Sequence, residues 1–131
     1  HRDIKPDNVL LSGKRWKLAD FNLACNFGTR AGKVMRNRAG SRPFMAPEVF
    51  EKGRSYTEKC DVYSLGVVFI ALRTGQNYWH PQLAHEDVRL AEVGKSLIQE
   101  ERWQGMGRGA LCLALDMISP EAERPDAQEA L

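Results

Sequence analysis

The segment that most restricts the fold is the apolar run Val62–Leu72, VYSLGVVFIAL, which is broken only by Ser64 and Gly66. A helix that is apolar on nearly every side must lie inside a domain, because none of its faces suits water. We therefore predict a central helix over residues 57–74, with the rest of the chain packed around it. The run is much shorter than the roughly 20 apolar residues that a membrane-spanning helix needs.

The rest of the chain predicts one hairpin followed by helices. NVLLSGKRWKLADF (8–21) has the pattern of two short strands around a turn at Ser12-Gly13. MAPEVFEKG (45–53) predicts a short helix with Pro47 in its first turn. Further helices are predicted in EDVRLAEVGKSLIQEE (86–101) and GALCLALDMIS (109–119), and one begins in SPEAERPDAQEAL (119–131); residues 25–42 and 73–85 are predicted as loop and linker. The predicted fold class is α+β and mainly helical.

Charge and cysteine usage limit the classes of function. The chain has 19 Lys and Arg against 17 Asp and Glu, and its net charge of +2 says little about partners. Its three Trp residues are predicted to pack in the fold and not to stack on bases, so we expect no nucleic-acid partner. Its three cysteines are odd in number and widely spaced, which argues against a disulfide framework. We expect an intracellular location, cytoplasmic or nuclear, and no membrane partner.

The opening HRDIKPDN has the side chains that phosphoryl transfer to a hydroxyl requires. A carboxylate must orient the hydroxyl and accept its proton, and Asp3 can do so. Lys5 can meet the charge that develops on the transferred group. Asn8 and Asp20 offer oxygen ligands of the kind that Mg²⁺ prefers.

Four motifs resemble those of the eukaryotic protein kinases. HRDIKPDN, ADFN, MAPE and DVYSLG occur in the order and at about the spacing of that family, and ERPDAQEAL follows them. The resemblance implies that residues 1–131 are a partial kinase domain, the C-terminal lobe with a small β-hairpin and a central buried helix. It also implies that the N-terminal lobe is absent, since no G-x-G-x-x-G occurs, and we expect that lobe to be a partner of this chain.

The resemblance assigns five candidate site residues. Asp3 resembles the catalytic base, and Lys5 resembles the lysine that contacts the transferred phosphate of ATP. Asn8 and Asp20 resemble the Mg²⁺ ligands. Leu10 resembles the residue that packs beneath the adenine.

Other matched positions imply structural roles. Glu48 and Arg124 resemble the buried ion pair of the family and should lie within salt-bridge reach. Asp61 resembles the acid on the central helix that holds the backbone of the catalytic loop. His1 and Phe21 resemble packing residues.

The expected substrate is a protein with a Ser or Thr acceptor. Lys5, two residues after Asp3, follows the serine/threonine pattern. GSRPFMAPE resembles the corresponding segment of these kinases, with Ser41 for Thr and Phe44 for Tyr. A narrower resemblance, in ACNFG, EVGKSLIQE and ERPDAQEAL, is to the PDZ-LIM-interacting kinase group.

Two positions depart from the family pattern. Asn22 stands where the family has the Gly of Asp-Phe-Gly, and Asn is the non-glycine residue that best tolerates left-handed backbone. In the family, that Gly lets the backbone turn sharply when the activation segment changes conformation. We expect Asn22 to stiffen this turn without abolishing metal binding. Asn37 stands where the family usually has a phosphorylated residue, so the loop cannot be modified there.

Between Asp20 and Glu48 the chain carries only basic charges. Five such residues occur in this segment: Arg30, Lys33, Arg36, Arg38 and Arg42. They predict either an acidic partner or substrate, or simply a solvated loop.

Three functions are compatible with these sequence features. The first is a serine/threonine protein kinase that uses ATP and Mg²⁺, of which this fragment alone is expected to be inactive. The second is a pseudokinase or a scaffold module, which Asn22 and the missing half allow. The third is a small-molecule kinase, which the A-P-E segment and the Glu48–Arg124 pairing disfavour.

Overall fold

The computed structural model of the chain describes residues 1–26, 34–74 and 108–130. Two strands and three α-helices lie within them: β1 (Val9–Ser12), β2 (Arg15–Leu18), α1 (Pro47–Phe50), α2 (Lys59–Thr74) and α3 (Arg108–Met117). Short 3₁₀ helices span Pro6–Asn8, Phe21–Leu23 and Arg42–Phe44. The predicted helix over 86–101 lies outside the described residues.

The two strands form the predicted hairpin. They pair antiparallel, from Val9 opposite Leu18 to Ser12 opposite Arg15. The turn is therefore one residue later than predicted, at Gly13 and the lysine after it, because Ser12 belongs to the strand. Gly13 has φ +63°, a left-handed conformation that glycine adopts without steric cost.

The central helix begins two residues later than predicted and ends where predicted, at Thr74. Its core side includes Val67, Val68 and Ile70, each no more than 6% exposed. Leu65 and Leu72 are 44% and 70% exposed, so the expectation of burial on every side is wrong for these two positions.

Helices α2 and α3 meet closely at Gly66. A Cβ built there would lie 2.9 Å from Met117 Cβ and 2.9 Å from Ile118 Cγ2. Only a residue without a side chain allows this approach, which explains the glycine that interrupts the apolar run.

Polar contacts fasten the start of α2 to neighbouring segments. Ser64 Oγ donates to the Phe44 carbonyl at 2.7 Å, which links the helix to the 3₁₀ turn before α1. Glu121 Oε1 accepts from Thr57 N at 2.9 Å and from Thr57 Oγ1 at 2.8 Å. The C-terminal segment therefore packs on the beginning of the central helix.

The last described residues start a helical turn, as predicted. Asp126 Oδ1 accepts from Glu129 N at 2.9 Å, and Glu129 Oε2 accepts from Asp126 N at 2.9 Å. This reciprocal pair is a capping box, a common helix start. None of the helices in the described parts of the chain is long and apolar enough to cross a membrane.

Candidate active site

Residues 1–8, the candidate catalytic loop, are fixed to the central helix through their backbone. Asp61 Oδ2 accepts from His1 N, and Asp61 Oδ1 accepts from Arg2 N, each at 2.7 Å. Arg2 has φ +69°, and Gly40 packs against it so closely that a Cβ at Gly40 would collide with the Arg2 carbonyl oxygen. The contact expected of Asp61 is thus present. Position 40 requires glycine, because a side chain there would collide with the Arg2 backbone.

Asp3 lies at the centre of the converging polar groups and is 8% exposed. Its Oδ1 accepts from Ser41 N at 2.8 Å. Its Oδ2 lies 3.0 Å from Lys5 Nζ and 3.3 Å from Asn8 Nδ2. Lys5 Nζ also donates to Ser41 Oγ at 3.1 Å, so Ser41 contacts both residues.

These contacts set the charges of Asp3 and Lys5. Burial acts to raise the pKa of Asp3, but hydrogen bonds from Ser41 and Lys5, with the Lys5 charge, outweigh it. The pKa of Asp3 therefore falls below its ordinary value of 3.8. The hydrogen bond to Asp3 raises the pKa of Lys5 above 10.5. At neutral pH the site holds a carboxylate and an ammonium.

Asn8 and Asp20 lie on adjoining stretches of backbone. Ala19 N donates to the Asn8 carbonyl at 2.9 Å, and the His1 ring Nε2 lies 2.9 Å from the Ala19 carbonyl. The His1 ring also meets Phe21 edge-on, with ring centroids 4.7 Å apart, and Phe21 is otherwise 61% exposed. The segment that carries Asp20 is thereby fixed beside the catalytic loop.

The oxygen atoms of this pair suit a hard cation. Asn8 Nδ2 donates to the Asp3 carbonyl at 2.9 Å and to its carboxylate, which orients the amide and leaves Oδ1 outside those contacts. The Asp20 side chain is exposed. One amide oxygen and one carboxylate fit Mg²⁺, which keeps several waters and binds substrate phosphates. The described residues contain no group of three or more His, Cys, Asp or Glu placed to hold a metal.

Asn22 is not strained in this conformation. Among the described non-glycine residues, only Arg2 and Asp20 have positive φ, and Asp20 has φ +61°. Asn22 lies in a 3₁₀ helix and donates its N–H to Asp20 Oδ1 at 3.4 Å. The left-handed backbone conformation is therefore at Asp20, and Asn22, where the chain departs from the family pattern, does not adopt it.

Leu10 lies on β1, two residues beyond Asn8, and is 51% exposed. It shares the hairpin with other exposed apolar side chains, namely Leu11, Trp16 and Leu18, and Phe21 is exposed nearby in sequence.

The predicted pairing of Glu48 and Arg124 is present and buried. Arg124 Nη1 and Nη2 donate to the two Glu48 carboxylate oxygens at 2.6 and 3.2 Å. The other hydrogen bonds of its guanidinium go to the Ser119 and Lys59 carbonyls, at 2.8 to 3.1 Å. Arg124 is 1% exposed, so its charge is fully matched inside the core.

Asn37 accepts a hydrogen bond from Arg2. Arg2 Nη1 donates to Asn37 Oδ1 at 3.0 Å, and Arg2 Nε donates to the Leu23 carbonyl at 2.6 Å. Tyr56 Oη donates to the Asn37 carbonyl at 2.6 Å, and the Tyr56 backbone pairs with Met35 at 2.8 and 2.9 Å. Sequence reasoning missed Tyr56, because no motif marks it and only the fold brings it to Asn37.

The chain is similar in sequence to known proteins of one family. The protein kinase domain family matches residues 1–131. Serine/threonine-protein kinase CHK1 of Saccharomyces cerevisiae is 44% identical over 92 residues, which are 66% of this chain and 18% of that protein. Mitogen-activated protein kinase kinase kinase 7 of Homo sapiens is 50% identical over 70 residues, 52% of this chain and 11% of that protein.

A third relative is aligned with nearly the whole chain. Serine/threonine-protein kinase chk-1 of Caenorhabditis briggsae is 31% identical over 126 residues, 95% of this chain and 26% of that protein. The chain belongs to the protein kinase family, and these relatives are two serine/threonine-protein kinases and one mitogen-activated protein kinase kinase kinase. It spans between 11 and 26% of their length. The narrower resemblance to the PDZ-LIM-interacting group stays a prediction.

Proposed function

We propose that this chain is the catalytic-loop part of a serine/threonine protein kinase that transfers the γ-phosphoryl group of ATP to protein hydroxyls. The observation that carries the proposal is the fixed carboxylate of Asp3, which is ionised and held by Ser41 and Lys5. Its low pKa makes it a weak base, suited to orienting the acceptor hydroxyl and receiving its proton late. That is what a loose phosphoryl-transfer transition state requires, because catalysis there is mainly positioning and charge stabilisation.

The neighbouring residues have complementary roles in this proposal. Lys5 brings a positive charge next to Asp3, where charge builds up on the transferred group. Asn8 and Asp20 would hold Mg²⁺, which offsets the charge of the nucleotide phosphates. Leu10, on the strand that follows, would pack beneath the adenine.

We also propose that residues 1–131 are the C-terminal lobe of the domain and that an N-terminal lobe completes the site. The support is the exposed apolar surface on the hairpin, where Leu11 and Trp16 face each other and are 59% and 72% exposed. Such a surface on a nucleotide-binding hairpin is suited to contact with another part of the same domain. Without that part, nothing among the described residues covers the nucleotide. Residues 1–131 alone should therefore not transfer phosphate from ATP.

The loop should need no phosphorylation at position 37. Asn37 already accepts a hydrogen bond from Arg2 and another from Tyr56, so a neutral side chain fills the place of a phosphate.

The three cysteines described, Cys25, Cys60 and Cys112, are all unpaired, which supports an intracellular location.

The test is phosphate transfer by the full-length protein with labelled ATP and Mg²⁺, using peptides that differ only in a Ser, Thr or Tyr acceptor. Label on Ser or Thr, lost in Asp20→Asn, is expected. A folded full-length protein that binds the nucleotide and transfers nothing would instead favour the pseudokinase or scaffold alternative. Label on Tyr alone would overturn the serine/threonine assignment.

A further inference from the structure

Two arginines next to the candidate active site share one aromatic ring. The Arg38 guanidinium carbon lies 3.9 Å from the centroid of the Phe50 ring, and the Arg42 guanidinium carbon lies 6.0 Å from the same centroid. The first distance is a close stack, and the second is at the outer limit of a cation–π contact. Phe50 is half-buried at the end of α1, so it offers a fixed platform to both charges.

These two charges have no acidic partner within the described parts of the chain. Both side chains are exposed, and the ion pairs found there involve other residues. Arg54, by contrast, is close in sequence to Phe50 and is paired with Glu51 at 3.1 Å. An exposed guanidinium that has no acidic partner can bind a carboxylate of another molecule through charge-assisted hydrogen bonds.

The position of the pair relates it to the acceptor site. Arg42 directly follows Ser41, whose N–H and hydroxyl contact Asp3 and Lys5. Consecutive Cα atoms are about 3.8 Å apart, so the start of the Arg42 side chain lies within one residue of the catalytic contacts. An extended peptide covers about 3.3–3.6 Å per residue, so a substrate side chain near Arg42 is only a few residues from the acceptor.

We propose that Arg38 and Arg42, held on Phe50, form a specificity site for an acidic side chain of the protein substrate, within about three residues of the acceptor. The inference rests on the proposed kinase function and adds a substrate class to it. Guanidinium groups suit this task because they stay charged and bind carboxylates through two parallel hydrogen bonds. The stack also leaves less side-chain freedom to be lost when the carboxylate binds.

The experiment measures kcat/KM of the full-length protein on paired peptides that carry Glu or Gln at each position near the acceptor. At one position at least, the wild-type protein should prefer Glu. Arg38→Ala and Arg42→Ala should each lower that Glu/Gln ratio about two- to fivefold, as expected for partly exposed ion pairs. The ratio should also fall as salt is added.

Two further variants separate the platform from the charge. Phe50→Leu keeps both arginines but removes the ring, so the ratio should fall, with thermal unfolding measured alongside to show that the protein is folded. Arg54→Ala removes a nearby exposed arginine that already has a partner, so the ratio should stay at the wild-type value. A ratio of one in the wild-type protein, or an unchanged ratio in Arg38→Ala/Arg42→Ala, would overturn the proposal.

Failure of the kinase function itself would have a different signature. If the wild-type protein transfers phosphate to neither peptide, the function proposal fails, and equilibrium binding of the labelled Glu and Gln peptides then tests the arginine pair by itself. Tighter binding of the Glu peptide that is lost in Arg38→Ala/Arg42→Ala would support the site without any turnover. Equal binding of both peptides would reject it.

Discussion

Asp3–Lys5 and Glu48–Arg124 are both pairs of a carboxylate with a cation, but their surroundings differ. The Asp3–Lys5 contact is 3.0 Å, with side chains 9% and 24% exposed. The Glu48–Arg124 contact is 2.6 Å, with side chains 3% and 0% exposed. One pair is partly open to solvent and the other is sealed.

The number of remaining donors also distinguishes the pairs. Arg124 uses its guanidinium on Glu48 and on two backbone carbonyls, so its donors are matched within the core. Lys5 has three N–H donors, and the contacts with Asp3 and Ser41 account for two. An ion pair that is complete by itself can only hold the fold, whereas one that keeps a donor and a solvent-facing side can act on another molecule.

The largest expected effect is on the open pair and on activity. Asp3→Asn in the full-length protein removes the carboxylate that we propose orients the hydroxyl and accepts its proton. Loss of a general base costs about 10²–10⁴-fold, so the rate of peptide phosphorylation should fall by that range. The measurement is kcat at saturating ATP and peptide. Activity within twofold of wild type would remove Asp3 from the chemistry.

Breaking the sealed pair should affect stability instead. Arg124→Met leaves the Glu48 carboxylate buried without its partner, which costs on the order of 3–5 kcal/mol of unfolding free energy. Urea unfolding followed by circular dichroism measures it.

A surface pair is the matched control for that measurement. Arg54→Ala breaks the Arg54–Glu51 pair, whose side chains are 50% and 41% exposed, and should cost less than about 1 kcal/mol. Equal losses in the two variants would mean that burial does not distinguish the pairs.

A third cation, Arg2, has a neutral partner and should show a smaller effect. Asn37→Ala removes one hydrogen bond to Arg2, worth about 0.5–1.5 kcal/mol, or roughly a two- to tenfold loss of activity. Asn37→Asp keeps an acceptor and adds a charge, so it should retain activity. Phosphatase treatment of the wild-type protein should change nothing. A large loss after phosphatase would show that a modified residue elsewhere, such as Thr29, is needed.

Sequence patterns found the elements whose signal is local. The hairpin, the short helix at Pro47 and helices α2 and α3 were predicted, because period, proline and glycine mark them. The exposure of Leu65 and Leu72 could not be predicted, since it depends on which neighbours cover each face of the helix.

Some contacts of the candidate site were also predicted from the sequence, and others were not. The Glu48–Arg124 and Asp61 contacts were predicted from motif resemblance, and the structure has both. Tyr56 and Phe50 were not, because an aromatic residue outside a motif gives no sign of its partner until the chain folds. Their contacts with Asn37 and Arg38 join segments that are more than ten residues apart.

The smallest effect expected concerns the pH dependence of the open pair. The folded pKa of Asp3 lies below 3.8, so its contribution to stability is complete above that pH and is lost as the pH falls through the folded value. The folded pKa of Lys5 lies above 10.5, so its contribution is complete below that pH and is lost as the pH rises through the folded value. Between these limits the pair should contribute a constant amount.

The measurement is the difference in unfolding free energy between wild type and Asp3→Asn, taken from neutral pH down to about pH 3 and below. The difference should stay level near neutrality and shrink only in acid, because protonation of Asp3 then makes the wild-type side chain neutral like the variant. Lys5→Met, measured over the same range, should approach wild type under the same acidic conditions, since the lysine then has no charged partner to lose. A difference that already shrinks between neutral pH and about pH 5 would mean that the pKa of Asp3 is raised, and the carboxylate would then be a stronger base than the geometry implies.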